Sequence, residues 1–414
     1  MLYRIFLLIA CWPVVAGAAE SSLTLEQTID QALQDAPQVA ASAALLDGAA
    51  AVAPSAGRLP DPELITALDN LPVNTVERFS VTRDFMTMRR IGIMQSFPNH
   101  EKRRLMREQA QDEIAVARGR LRAVRFDTAR AAAEAWIASA VAEQSLARLR
   151  SLKPDTQLQA SAGRAALSSG RASAAEALVT QSLDASLDER ILAFEQEALV
   201  KRAELARWIG AAADRPLAAI PADRDIGHSV ESLVDAVPGH APLAPIVAQL
   251  EVARTEVALA RAERRPDWSA ELSYSQRGPA YSNMVSLQFR IGLPLFASQR
   301  QNPKVAEKLA TVRAQEAERD AEIRMHTAEV RAALAEWRIG RERLQRYATE
   351  LLPLQRDRAR AALASFSAGR GDLRSALEAL TQEMTTQLDE VQLQGSVARA
   401  WVFLHLLHDA GAPQ

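Results

Sequence analysis

The stretch RIGIMQSFP, residues 90–98, returns in shortened form as RIGLPLF at residues 290–296. Gly92 and Gly292 stand 292 − 92 = 200 positions apart in a chain of 414 residues. A chance match leaves its surroundings unrelated, whereas a duplication brings them along in the same order and at a similar offset. The surroundings do follow. DAPQV at Asp35 answers to HAPLA at His240, LPDPEL at Leu59 to RPDWSA at Arg265, and AAAEAW ending at Trp136 to AALAEW ending at Trp337. Pro154 answers to Pro353 and Gly170 to Gly369, so that the offsets run only from 199 to 206. Two homologous halves organise the chain.

The quoted stretches read as strands. In NMVSLQFRIGL, Val285, Leu287, Phe289, Ile291 and Leu293 alternate with Met284, Ser286, Gln288 and Arg290, the period of two of a sheet with unlike faces. Trp268, Ala270, Leu272 and Tyr274 likewise oppose Asp267, Ser269, Glu271 and Ser273, and Ile91, Ile93 and Phe97 oppose Arg90, Met94 and Ser96. PELITALDN is a weaker partner strand. Turn-rich loops near 71–85 and 276–282 join two strands in each half, and Pro98 and Pro294 end the ladders.

Outward from the strands the period becomes helical. Residues 101 to about 168 and 304 to about 367 are rich in Ala, Glu, Arg and Leu, all strong helix formers. Leu309, Ile323, Val330 and Trp337 fall on a seven-residue grid interrupted at Glu316, which points to coiled-coil packing. About 65 residues at 1.5 Å each predict rods of about 100 Å. Pro154 and Pro353 are expected to kink these rods or mark local breaks. Gly170 and Gly369, followed by Arg171 and Arg370, are placed to reverse each rod into a second helix, giving two antiparallel helical hairpins.

Amphipathic strands of about ten residues suit a transmembrane β-barrel. A half-buried sheet in a soluble protein is the commoner reading, but long helices offer no globular body for it to cover. Four strands cannot close a barrel, since the smallest have about eight, and open edges in lipid would strand backbone hydrogen-bonding groups. Three copies supply 3 × 4 = 12 strands. On this reading Ile91, Ile93, Trp268, Leu272, Leu287, Phe289 and Ile291 face lipid, and Arg90, Gln288 and Arg290 face the lumen.

Targeting and composition agree with export. MLYRIFLLIACWPVVAGAAE has the layout of a secretory signal peptide over residues 1–19; alternatively, LIAC fits a lipoprotein box that would place Cys11 at the mature N-terminus. No later run is long and apolar enough for a transmembrane helix. Cys11 is the only cysteine, so no disulfide forms within one chain. A net charge of −2 gives no basic footprint for nucleic acid. No phosphate loop, nucleophile elbow or H-E-x-x-H motif is present, so neither an enzyme nor a cofactor site is expected. His405 and His408 share a helix face without an evident third metal ligand, and Met86, Met88 and Met94 serve as apolar filler or as transient thioether contacts for Cu(I).

These residues resemble the TolC-like outer-membrane factors. The resemblance rests on LTLEQTIDQALQDAPQV (23–39), the duplicated halves, and the tips SGRASAAEAL (169–178) and AGRGDLRSALEAL (368–380). Residues 70–98 and 264–278 look most like the heavy-metal-efflux branch. The resemblance implies a fold that is mainly α with a transmembrane β-barrel portion, in duplicated strand-strand-long helix-long helix halves. A homotrimer would form a 12-stranded barrel in outer-membrane lipid, continued by an α-helical periplasmic barrel. Its tips would dock a periplasmic membrane fusion protein, and through it an inner-membrane RND-type pump. The first repeat is expected over 20–225 (β-hairpin 62–97, helical hairpin 101–208) and the second over 226–414 (β-hairpin 267–296, helical hairpin 304–408). The family's two inner tip acids map near Ser375 and Glu378; only Glu378 is acidic, which makes it the candidate periplasmic gate residue. The exit duct of a drug-efflux or type I secretion system is the nearest alternative, and a periplasmic coiled-coil adaptor is an alternative of another class.

Overall fold

The computed structural model describes residues 22–170, 173–227, 230–368 and 370–409. The leader with Cys11, and the expected tip residues Arg171 and Gly369, lie outside the described residues, as does the side chain of His408. In chain order the elements are α1 (Leu25–Asp35), α2 (Pro37–Val52), β1 (Glu63–Asp69), β2 (Met88–Phe97), α3 (His100–Ser168), α4 (Ala174–Ile209), α5 (Val230–Asp235), α6 (Ala244–Ala262), β3 (Trp268–Gln276), β4 (Met284–Ile291), α7 (Gln301–Arg346), α8 (Leu352–Ser367) and α9 (Leu373–Asp409). No single described helix is long and apolar enough to cross a membrane.

Two compact units share these elements. One takes the chain up to Ala36, Asp127–Leu233 and Val330–Asp409; the other takes Pro37–Phe126 and Val234–Glu329. Each unit therefore draws on both sequence repeats.

In the first unit Leu149, Leu187 and Leu388 form a buried cluster against Leu152, Ile191, Phe194 and Met384, joining α3, α4 and α9. Each fully buried leucine contributes about 1.5–3 kcal/mol. The repeat is visible in hydrogen bonds as well as in letters. The Trp136 indole donates to the Leu23 carbonyl at 3.1 Å, and Trp337, its counterpart 201 residues on, donates to the Arg224 carbonyl at 3.3 Å. Both bonds span 113 residues, so the two tryptophans perform one duplicated task. They differ in surroundings, since Trp136 is fully buried and Trp337 only half-buried.

The two prolines do not act alike. Helix α3 continues through Pro154, whereas a π-helical turn, Tyr347–Leu351, precedes Pro353. Proline lacks an N–H and crowds the carbonyl four residues back, here Thr349, and the wider π turn accommodates both. Of the heptad positions, Val330 is buried and Leu309 is 39% exposed.

In the second unit the four strands form one antiparallel sheet in the order β1-β2-β3-β4. The passage from β2 into α3 is fixed by polar contacts. Asn99 donates its backbone N–H to Asp267 Oδ1 at 2.8 Å, its own Oδ1 accepts from the Lys102 backbone N–H at 2.8 Å, and Lys102 Nζ pairs with Asp267 Oδ2 at 3.2 Å. Asn99 thus caps the helix while tying it to the start of β3. In the same unit His240 and His326 are buried with Nδ1 and Nε2 3.1 Å apart, and His326 Nδ1 lies 3.2 Å from Glu329 Oε2. Burial, then the neighbouring His326, pushes the His240 pKa down to about 4.

Candidate functional site

The sheet register sorts every strand residue onto one of two faces. One face aligns Ile93 with Leu64 and Leu272, Leu272 with Leu287, Ala270 with Phe289, and Trp268 with Ile291. All seven residues expected on the lipid side, Ile91, Ile93, Trp268, Leu272, Leu287, Phe289 and Ile291, lie on this face and are exposed in the protomer. Leu64 and Leu68 of the weaker strand β1 extend it. At its helix-proximal end Trp268 stacks on Phe97 with centroids 4.1 Å apart and tilts against Phe289 at 6.4 Å.

Polar groups line the opposite face. Arg90, Gln288 and Arg290 lie on it, aligned with Ser275, Glu271 and Ser269. Arg90 is the centre of a network over three strands: Nε lies 2.9 Å from Asp69 Oδ2 and Nη1 3.0 Å from Glu271 Oε1. Glu271 is 5% exposed; a carboxylate so placed needs its cation, because an unpaired buried charge is costly. The register also explains the glycine of RIG in the first half. A Cβ on Gly92 would stand 2.7 Å from the Ser273 Cβ, whereas one on Gly292, just beyond β4, would meet nothing nearer than 3.8 Å. Alternation in the sequence separates the two faces but does not name the partners, Asp69 and Glu271, which hold the Arg90 charge, or Asp267, which holds Lys102 of the following helix. The signal available was an acid in the polar register of each neighbouring strand, or immediately before it.

At the tips of the helical hairpins, Gly170 closes α3 with φ +70° and donates its N–H to the Leu167 carbonyl at 3.0 Å. Ser173 then caps α4 in a reciprocal box with Glu176, and the Ser173 backbone N–H holds the Glu176 carboxyl below its usual range. At the second tip the Arg370 and Gly371 amides both donate to the Ser365 carbonyl at 3.0 Å, leaving the Arg370 side chain exposed. A groove of about 910 Å³ near the tips is lined by Leu158, Thr180, Phe366, Leu373 and Leu377 among others. Glu378 lines an adjoining groove with Glu176, Asp372 and Arg374. Ser375 is exposed beside it.

Among the described residues, neither the histidines nor the methionines gather into a metal centre. Among the described residues no group of three or more His, Cys, Asp or Glu side chains could hold a metal ion. His405 stacks on Trp401 with centroids 4.9 Å apart. Met88 and Met94 are six residues apart on one strand, about 20 Å, too far to share an ion.

Among the described residues the chain thus builds an open amphipathic sheet and long helical hairpins. Residues 239–408 match the family model described as outer membrane efflux protein. In fold the chain is similar to a membrane protein from Pseudomonas aeruginosa (TM-score 0.79, 15% identity, 92% of each chain covered) and to CusC (0.78, 16%, 94% of this chain and 92% of that one). It is similar also to VceC, an outer membrane protein from Vibrio cholerae (0.77, 19%, 94% and 96%). No curated protein matches the chain. The resemblance to TolC-like outer-membrane factors thus agrees with a family-model match over residues 239–408 and with the fold over nearly the whole chain.

Proposed function

We propose that three copies of this chain form the exit duct of a tripartite efflux system, with the apolar sheet face in outer-membrane lipid and the Arg90 face lining a hydrated lumen. One observation carries the reading: β1 and β4 each pair on one side only, in a sheet whose apolar face is largely exposed. Open edges are forbidden in lipid, and joining β4 of one copy to β1 of the next removes them. The helical hairpins then continue the duct as a coiled-coil-like barrel. Their tips, Gly170 and Arg370 with Arg171 and Gly369 beside them in sequence, dock a membrane fusion protein that leads to an RND-type pump. Glu378 stands at the candidate gate.

The cargo we favour is heavy-metal cations, on the resemblance of residues 70–98 and 264–278. The polar face sets Asp69 and Glu271 beside Arg90 and Arg290, a hydrated lining whose weak contacts let an ion leave as readily as it enters. Membrane fractionation with unheated gel electrophoresis tests the duct. Heat-labile trimers in the outer-membrane fraction are expected, and a soluble periplasmic monomer would instead favour an adaptor. Growth of a deletion strain on metal salts, drugs and a secreted-protein reporter tests the cargo; sensitivity to drugs alone would shift the assignment to a drug-efflux duct.

A further inference from the structure

At the loop end of the sheet the apolar face changes character. Arg89 precedes Ile91 by two residues and so shares its face, with Leu68 and Gln276 as cross-strand neighbours. Its side chain is exposed, and Nη2 donates to the Arg277 carbonyl at 3.4 Å. Arg277 in turn donates from Nε to the Ser282 carbonyl at 2.8 Å and from Nη1 to the Phe85 carbonyl at 3.2 Å, tying the two strand-connecting loops together. Nearby in the longer loop, Arg83 Nε donates to Ser80 Oγ at 3.3 Å and Arg78 lies 5.4 Å from the centre of the Phe79 ring. These four guanidinium groups are held by carbonyls, a hydroxyl and a ring, and among the described residues none forms an ion pair. The loop's own acids are Glu77 and Asp84, and Asp84 Oδ1 is occupied by the Met86 backbone N–H at 2.8 Å. Four arginines against these two acids leave a net positive charge, and beside it Phe79 and Phe85 are exposed and Val76 is 93% exposed.

Cations mixed with bare apolar side chains suit the zone between acyl chains and water, and the planar fork of arginine matches phosphate oxygens. The arrangement belongs to one end only: at the helix-proximal end the same face presents Phe97, Trp268 and Ile291. A general interfacial anchor would serve both leaflets alike, whereas a cationic loop end beside an aromatic helix end distinguishes them. We propose that Arg89, with Arg83 and Arg78, binds the phosphate groups of lipid headgroups in the leaflet on the loop side. The inference rests on the reading of the sheet as a lipid-facing barrel wall.

The test uses the purified full-length trimer in uncharged detergent, titrated with a diphosphorylated glucosamine lipid (lipid A), with its dephosphorylated form, and with inorganic phosphate. The double variant R83Q/R89Q should bind the diphosphorylated lipid about tenfold more weakly, while R264Q, a loss of exposed charge elsewhere, leaves binding unchanged. Dephosphorylated lipid should bind weakly to all forms, and inorganic phosphate should not displace the lipid. Undiminished binding by R83Q/R89Q, or equal binding of the dephosphorylated lipid, would overturn the proposal. Displacement by inorganic phosphate would make this a free-anion site, and loss of trimer self-association with unchanged lipid binding would make the occupant a second copy; either result also overturns it. The parent reading is checked separately by wild-type trimer in the outer-membrane fraction, whose absence would remove the barrel wall itself.

Discussion

Placing a charge on each face of β4 tests the duct most directly. Leu287 is 63% exposed and pairs with Leu272, which is 58% exposed; its neighbour Gln288 pairs with Glu271 on the opposite face. Leu287 is the fourth of eight strand residues, in the central part of a span of about 27 Å. Arginine near the bilayer midplane costs about 2–4 kcal/mol. Each 1.36 kcal/mol is a factor of ten, so one Leu287→Arg chain should lose about thirtyfold to a thousandfold in the insertion equilibrium. With three equivalent, well-separated sites the cost adds to about 6–12 kcal/mol per trimer, comparable with the whole stability of a domain. Gln288→Arg instead places a cation opposite Glu271, where such a pair contributes about 0.2–1 kcal/mol. The assay is the yield of heat-labile trimer in outer-membrane fractions at matched expression. Leu287→Arg should reduce it severely and Gln288→Arg hardly at all. Equal loss from both, or loss from Gln288→Arg alone, would refute the assignment of faces.

Other expectations follow from the same geometry. Gly92→Val should impair sheet formation because its side chain collides with Ser273, whereas Gly292→Val has room; equal trimer yields from the two would contradict the β2–β3 register. Gly170→Val should cost about 1–2 kcal/mol through its left-handed backbone alone, so trimer yield should hold while cysteine cross-linking of the tips to the fusion protein falls. Arg370→Glu should weaken that cross-linking more than Arg370→Lys, and unchanged cross-linking in both tip variants would remove the docking role. His240 is held neutral in the fold with a pKa near 4, below its usual 6.5. The unfolded chain therefore takes up its proton first, and the stability linked to this residue is complete above about pH 6.5 and is lost as pH falls toward 4. His240→Gln should flatten that part of the acid-unfolding curve followed by circular dichroism, and an unchanged slope would show that the buried pair does not control it.

The sequence by itself determined the elements whose signal is local and repeated. The alternation in 284–293 and 268–274, the alanine-rich helical runs and the glycine at 170 were legible because side-chain period and backbone preference act over a few residues. The duplication then made each half a check on the other. Tertiary structure decided what depends on partners distant in sequence. Only the register brings Asp69 and Glu271, 21 and 181 residues away, onto Arg90, and only α3 and β3 together make Asn99 and Asp267 a joint between helix and strand. The two prolines read identically, yet one helix absorbed its proline and the other opened a π turn. Arg89 and Arg90 are adjacent letters of the same charge; the pleat sends one to the acids of the polar face and leaves the other on the apolar face, where no acid of the sheet is within reach to pair it.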